Sequence, residues 1–125
     1  MILVDTSVWI DHLRQGDAEL ERLLENGEVV THPFVVGELA CGSLSRRASL
    51  LESLDALPAA LVADDREVRH VVETERLYGR GVGFVDCHLL VSTRLSDGAS
   101  LWTRDRRLRA IADAMRLGYA ASPAH

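Results

Sequence analysis

The sequence predicts an α/β fold, a mainly parallel central sheet flanked by helices, in one domain covering residues 1–125. Three observations carry that prediction. Short apolar runs of the kind buried on both faces alternate with stretches of helical period. No two of those runs are joined by a tight hairpin turn, so parallel pairing through crossovers is called for. Finally, 125 residues, 47% of them hydrophobic and 26% charged, suffice for one core and are few for two. No internal repeat, linker or low-complexity stretch divides the chain, and only residues 121–125 read as a loose tail.

The elements follow in order. Residues 1–4 (MILV) form a strand that stops abruptly at Asp5-Thr6-Ser7, and residues 8–14 read as a helix. Asp17, a good N-cap, opens a second helix with Leu20, Leu23 and Leu24 on one face and Gly27 as its stop. Residues 28–31 are a second strand, and Pro33 suits the first turn of a helix whose body, 34–41, is apolar except for Glu38. Ser43 or Ser45 can cap a fourth helix with Leu50, Leu51, Leu54 and Leu57 at helical spacing before Pro58. Residues 60–62 are expected as a further strand. Asp64-Asp65 opens a helix turning Val68, Val71, Val72 and Tyr78 inward, closed by the stretch holding Gly79, Gly81 and Gly83. The next helix, 84–95, is apolar but for Asp86 and His88. After the Asp97-Gly98 turn, 99–103 form a strand, and Asp105 caps a last helix bearing Leu108, Ile111, Ala112 and Met115 before Gly118.

All 14 basic residues are arginine. Without lysine, the chain can be neither a P-loop enzyme, nor a receiver domain with its lysine, nor a Schiff-base enzyme. A net charge of −5 argues against gripping nucleic acid by bulk charge, but leaves room for a local arginine patch. Cys41 and Cys87 lie in apolar runs without metal or redox spacing, which reads as buried free thiols in a reducing compartment. No basic segment precedes a long apolar stretch and no run reaches roughly 18 apolar residues, so a cytoplasmic protein with no membrane contact is expected.

Most of the 19 acidic residues sit at helix starts or on polar faces. Four do not. Asp5 and Asp105 directly follow apolar strands, and the carboxyl ends of parallel strands are where open sheets bind ligands. Taken singly, each reads first as a simple N-cap. Glu38, in FVVGELAC, and Asp86, in GFVDCHLLV, lie in helices expected to be buried on most sides, where an unpaired carboxylate is costly. Their segments, 32–42 and 81–91, hold no basic residue but His32 and His88; an arginine from elsewhere would make them core ion pairs. The economical reading is convergence around one or two hard divalent cations, Mg2+ or Mn2+, in a partial carboxylate cage completed by water. Such ions lower the pKa of a bound water, orient it for in-line attack and stabilise charge on a phosphoryl group, so phosphodiester hydrolysis fits best. Thr6, Ser7 and Thr103 are placed to hydrogen-bond the carboxylates or a phosphate at the same rim, or to serve as plain turn hydroxyls.

In this order, MILVDTSVWIDHL, THPFVVGELACG, GVGFVDCHLLVSTRL and LWTRDRRL resemble the PIN-domain family, specifically the VapC-type toxins of bacterial toxin–antitoxin pairs. The resemblance covers essentially the whole chain. It implies that Asp5, Glu38, Asp86 and Asp105 are the metal-binding catalytic acids, with Asp5 and Asp86 as ligands and Glu38 and Asp105 acting directly or through water. It further implies a Mg2+- or Mn2+-dependent endoribonuclease that cuts tRNA, rRNA or mRNA, forms a homodimer and is inhibited by a small VapB-like antitoxin. Cys87 and His88 stand where the family more often has small or aliphatic residues, and His88 reads as a packing or hydrogen-bonding residue. His12, His32, His70 and His125 have no metal-site spacing. For RNA contact the candidates are Arg104 and Arg107, beside Asp105, and Arg46, because the planar guanidinium suits phosphate.

Two rivals remain at this level. A haloacid-dehalogenase-like phosphohydrolase also begins with a strand ending in aspartate, but needs an acid where this chain has Ser7, and a lysine. A catalytically silent PIN-fold module would keep the acidic groove only to hold a partner. Two bound divalent ions would bring the net charge from −5 to about −1.

Overall fold

Ile2–Val4 (β1) is the central strand of a three-stranded sheet ordered β2-β1-β3, in which β2 is Val29–Val30 and β3 is Ser100–Trp102. Both pairings are parallel, with Leu3 opposite Val30 on one side and Leu101 on the other. A strand flanked on both edges and covered on both faces must be apolar throughout, and Leu3 and Val4 are fully buried. The computed structural model describes residues 1–121, so the expected tail lies, from 122 onward, outside the described residues.

Seven helices are present among the described residues, six between the strands and one after β3: α1 (Thr6–Gln15), α2 (Ala18–Glu25), α3 (Pro33–Ala40), α4 (Arg47–Asp55), α5 (Asp65–Thr74), α6 (Phe84–Leu95) and α7 (Arg106–Ala114). Local signals account for most of them. Asp17 caps α2 through Leu20 N–H, Asp64 and Glu67 close a reciprocal cap on α5, and Pro33 occupies the first turn of α3. The helix α6 matches its expected bounds and is buried at every position from Cys87 to Thr93. It is the helical centre of the core, packed against α5 and β3.

Several expectations are corrected. Helix α1 starts at Thr6, two residues before the apolar period, because the Asp5 carbonyl already accepts from Val8 and Trp9 N–H. Neither Ser43 nor Ser45 caps α4; the N-cap position is Arg46, left-handed at φ 52°. The strand expected at 60–62 reduces to a single parallel bridge between Thr31 and Ala59. Beyond it the amides of Leu61 and Ala63 turn to the hydroxyls of Ser96, the C-cap of α6, and Ser92 on α6, which ends the ladder. Tyr78 is exposed, and Leu77 fills the core position instead. Cys41, at the C-terminus of α3, is exposed rather than buried, whereas Cys87 is buried. At the other edge, Leu101 bridges Gly118, so the chain after α7 adds to the sheet where only a helix stop was expected.

Candidate active site

Asp5 stands at the carboxyl end of β1 and Asp105 follows β3, so neighbouring parallel strands deliver both to the same rim. Glu38 comes from the last turn of α3 and Asp86 from the first turn of α6. The four acids share one electrostatic environment. Burial raises the pKa of Glu38, opposed by the Thr6 hydrogen bond and reinforced by the charges of Asp5 and Asp86. Burial likewise raises that of Asp86, opposed by Gly83 N–H and reinforced by Asp5 and Asp105. Among the described residues, none of the four is in an ion pair, while Asp11, Asp17, Glu19 and Glu75 all are.

Their burial differs from expectation. Asp5 is buried at 7% exposure and Asp86 is partly buried, but Glu38 and Asp105 are exposed. Helix α3 buries only Val35 and Leu39 fully, leaving Phe34 and Gly37 at the surface beside Glu38. The two strand-end aspartates also behave differently. The Oδ1 atom of Asp105 accepts from Arg107 N–H at 3.0 Å and Leu108 N–H at 2.9 Å, an ordinary helix cap. Although Asp5 occupies the N-cap position of α1, its side chain makes no cap bond. Instead Asp5 Oδ2 accepts from Ser7 Oγ at 2.8 Å and Thr103 Oγ1 at 2.7 Å.

Both hydroxyls are also bonded by the main chain. Arg104 N–H donates to Ser7 Oγ at 3.1 Å, and Asp105 N–H donates to Thr103 Oγ1 at 3.1 Å. Each hydroxyl thus donates to Asp5 Oδ2 while accepting a main-chain amide, and the two hydroxyl oxygens lie 3.4 Å apart. The other oxygen of Asp5, Oδ1, accepts no hydrogen bond among the described residues. Thr6 Oγ1 donates to Glu38 Oε1 at 3.3 Å and ties α1 to α3.

The arginines divide. Arg104 is committed: its guanidinium bonds Asp11 and Asp17 and lies 5.9 Å from the Trp102 ring centre. Arg107 makes no ion pair among the described residues, and its side chain crosses the loop before α6, where a Cβ on Gly81 would stand 2.6 Å from Arg107 Cδ. Gly81 has φ +82°, so its lack of a side chain serves both the turn and this approach. Arg46 is exposed at the start of α4.

An all-oxygen set of uncompensated carboxylates, each with one oxygen free of hydrogen bonds among the described residues, fits a hard divalent cation rather than a soft one. Among the described residues, no three carboxylate, imidazole or thiol groups close round an ion unaided. Water would have to complete the coordination, as is usual for magnesium.

Sequence reasoning missed the buried histidine layer beneath the site. His32 Nδ1 accepts from Phe34 N–H at 3.0 Å and caps α3, while its Nε2 meets Ser92 Oγ at 3.1 Å. His88 is buried and bonds Asp65 Oδ1 at 2.8 Å, in keeping with the packing role expected of it. Phe34 and Phe84 pack edge-on against its ring. His32 followed by Pro33 at a strand-to-helix junction was the available signal.

A parallel sheet presenting carboxylates at its strand ends, with two more from flanking helices, is the arrangement of a PIN domain, and the PIN-domain family model matches residues 2–114. The chain belongs to the PIN-domain family. It is 52% identical over 110 residues to Ribonuclease VapC32 of Mycobacterium tuberculosis, in two strains, the match covering 88% of this chain and 89% of that protein. No helix among the described residues is long and apolar enough to cross a membrane.

Proposed function

We propose that this chain is the toxin of a type II toxin–antitoxin pair: a divalent-metal-dependent endoribonuclease acting on tRNA, rRNA or mRNA in the cytoplasm. In this reading it works as a homodimer and a VapB-like antitoxin inhibits it. The likeness to a VapC ribonuclease supports the reaction class. The observation that supports metal dependence is the setting of Asp5: buried, accepting two hydroxyl hydrogen bonds on Oδ2, and set among three carboxylates without ion-pair partners.

Asp5 and Asp86 would hold Mg2+ or Mn2+, one ion or two, with Glu38 and Asp105 contributing directly or through water. When bound, such an ion acidifies a water and offsets charge on the phosphoryl oxygens. Ser7 and Thr103 aim Asp5, and Thr6 orients Glu38. Arg107, uncommitted and lying on the loop before α6, is the arginine placed to receive an RNA phosphate. An apolar groove of about 530 Å³, lined by Ile10, Leu13, Leu44 and Leu50 and reaching Glu38, offers an antitoxin segment a seat beside the site. Expressing the chain with and without its antitoxin and sequencing new RNA ends tests the reading, since discrete cleavage sites should appear only without the antitoxin. No new ends in either case would reject it in favour of a silent binding module.

Metal removal has a predicted sign. Raised carboxyl pKa values mean that the ion-free protein is stabilised through Glu38 and Asp86 as pH falls toward the ordinary carboxylate range, and loses that contribution as pH rises through the raised values. Mg2+ competes for the same oxygens. Adding it to chelated protein should raise stability at about pH 8, by about 2.7 kcal/mol at a hundredfold excess over Kd, and much less at about pH 5. Thermal melts that do not respond to Mg2+ at either pH would contradict the shared site.

A further inference from the structure

The amides that bond the two hydroxyls donating to Asp5 belong to two consecutive residues, Arg104 and Asp105. That short segment leaves β3 and is exposed. What fixes it is the Arg104 side chain, whose guanidinium bonds Asp11 on α1 with one nitrogen and Asp17, the α2 cap, with another. Asp17 is itself held, its Oδ1 accepting from Leu20 N–H at 2.9 Å and its amide donating to His12 Nδ1 at 3.0 Å. The fork is packed over Trp102, the last residue of β3.

We infer that Arg104 is a positioning residue: clasped by Asp11 and Asp17, it locks the segment after β3 so that its amides hold the Ser7 and Thr103 protons on Asp5. Resting on the ribonuclease reading, the inference removes Arg104 from the RNA-gripping set, where its place beside Asp105 in the sequence had put it. A planar guanidinium is needed because only a fork spans two carboxylates at fixed angle. Loosening the segment lets either hydroxyl rotate away, and the aim of the Asp5 carboxyl is then no longer set.

The test uses Arg104→Gln and the double variant Asp11→Asn/Asp17→Asn, which keeps the α2 cap and the arginine but removes the clasp. In metal-free protein, amide hydrogen exchange at Arg104 and Asp105 should accelerate at least about tenfold in both variants while β1 stays protected. In cleavage assays with Mg2+, both should lose about 10- to 100-fold in kcat, with KM for RNA and its salt dependence unchanged. If Arg104 grips RNA instead, Arg104→Gln raises KM and flattens the salt slope by about one, while the double variant, which frees the arginine, tightens binding. That pattern, or unchanged exchange in both variants, overturns the inference. Should Arg104→Gln fail to fold, the double variant decides alone. Parent protein and Asp5→Asn run alongside separate the two claims: if the parent cuts no RNA, the ribonuclease reading fails; if Asp5→Asn cleaves like the parent, Asp5 is not in the reaction; and in either case the exchange arm still judges the clasp.

Discussion

Asp5→Asn is expected to lower RNA cleavage by at least about a thousandfold, about 4 kcal/mol of transition-state stabilisation, while leaving the fold intact. The substitution is close to isosteric. An asparagine oxygen can still accept from Ser7 and Thr103, so the polar contacts at the end of β1 are retained. What goes is the charge and the unbonded carboxylate oxygen. The same loss relieves repulsion, because Asp5 is one of the charges pushing up the pKa of both Glu38 and Asp86. Hydrogen bonds to a neutral acceptor are weaker than those to a carboxylate, which offsets part of that relief. Stability without ions should therefore stay within about 1 kcal/mol of the parent. Denaturant melts and single-turnover cleavage on the same preparation check both halves. An Asp5→Asn protein that cuts at the parental rate would remove Asp5 from the reaction.

The second large effect is acid sensitivity through His32. Its ring is fully buried, and burial together with the nearby His88 lowers its pKa from 6.5 to about 4. The bonding pattern explains the resistance to protonation. Nδ1 accepts a main-chain N–H, so the single proton of the neutral ring sits on Nε2 and is given to Ser92. A second proton would have to displace the cap of α3. Because the folded pKa is depressed, the unfolded chain binds the extra proton first. Stability is fully present above about 6.5 and is lost as pH falls toward about 4, by about 3 kcal/mol at the limit. Glu38 and Asp86 act in the opposite direction in ion-free protein, so the comparison should be made with His32→Asn, which keeps a capping acceptor. That variant starts less stable, but should gain about 2 kcal/mol on the parent between about pH 7 and about pH 5. Parallel pH profiles would mean that His32 is not held neutral.

Local signals carried the fold. Asp17, Pro33 and Asp64 announce their helices at the residue, and the apolar run of α6 reads correctly because it is buried nearly all round. Single bridges are a different matter. Ala59 and Gly118 join the sheet through one partner each, and no local pattern marks a one-residue ladder. Apolar composition also overstated burial at α3, where Phe34 and Cys41 face outward with Glu38. Asp5 and Asp105 look alike in sequence, each an acid between strand and helix. Only the residues opposite, Ser7 and Thr103 for one and the α7 amides for the other, separate a carboxylate held by side-chain hydroxyls from an ordinary cap. The Arg104 clasp was beyond reach for the same reason, since its two partners lie 93 and 87 residues away.

The central claim is that Asp5, with Glu38, Asp86 and Asp105 around it, directs water onto an RNA phosphodiester with the help of a divalent ion. Water attacking phosphorus, with the P–O bond to the departing nucleoside breaking, leaves a phosphate monoester on one fragment and a free hydroxyl on the other. Attack by the neighbouring ribose hydroxyl would leave a 2′,3′-cyclic phosphate. The decisive measurement is the end chemistry of RNA cut by the purified chain, in Mg2+ and in chelator. The expected result is monoester and hydroxyl ends in Mg2+ and intact RNA in chelator; cyclic phosphate ends, or cleavage that survives chelation, would contradict it.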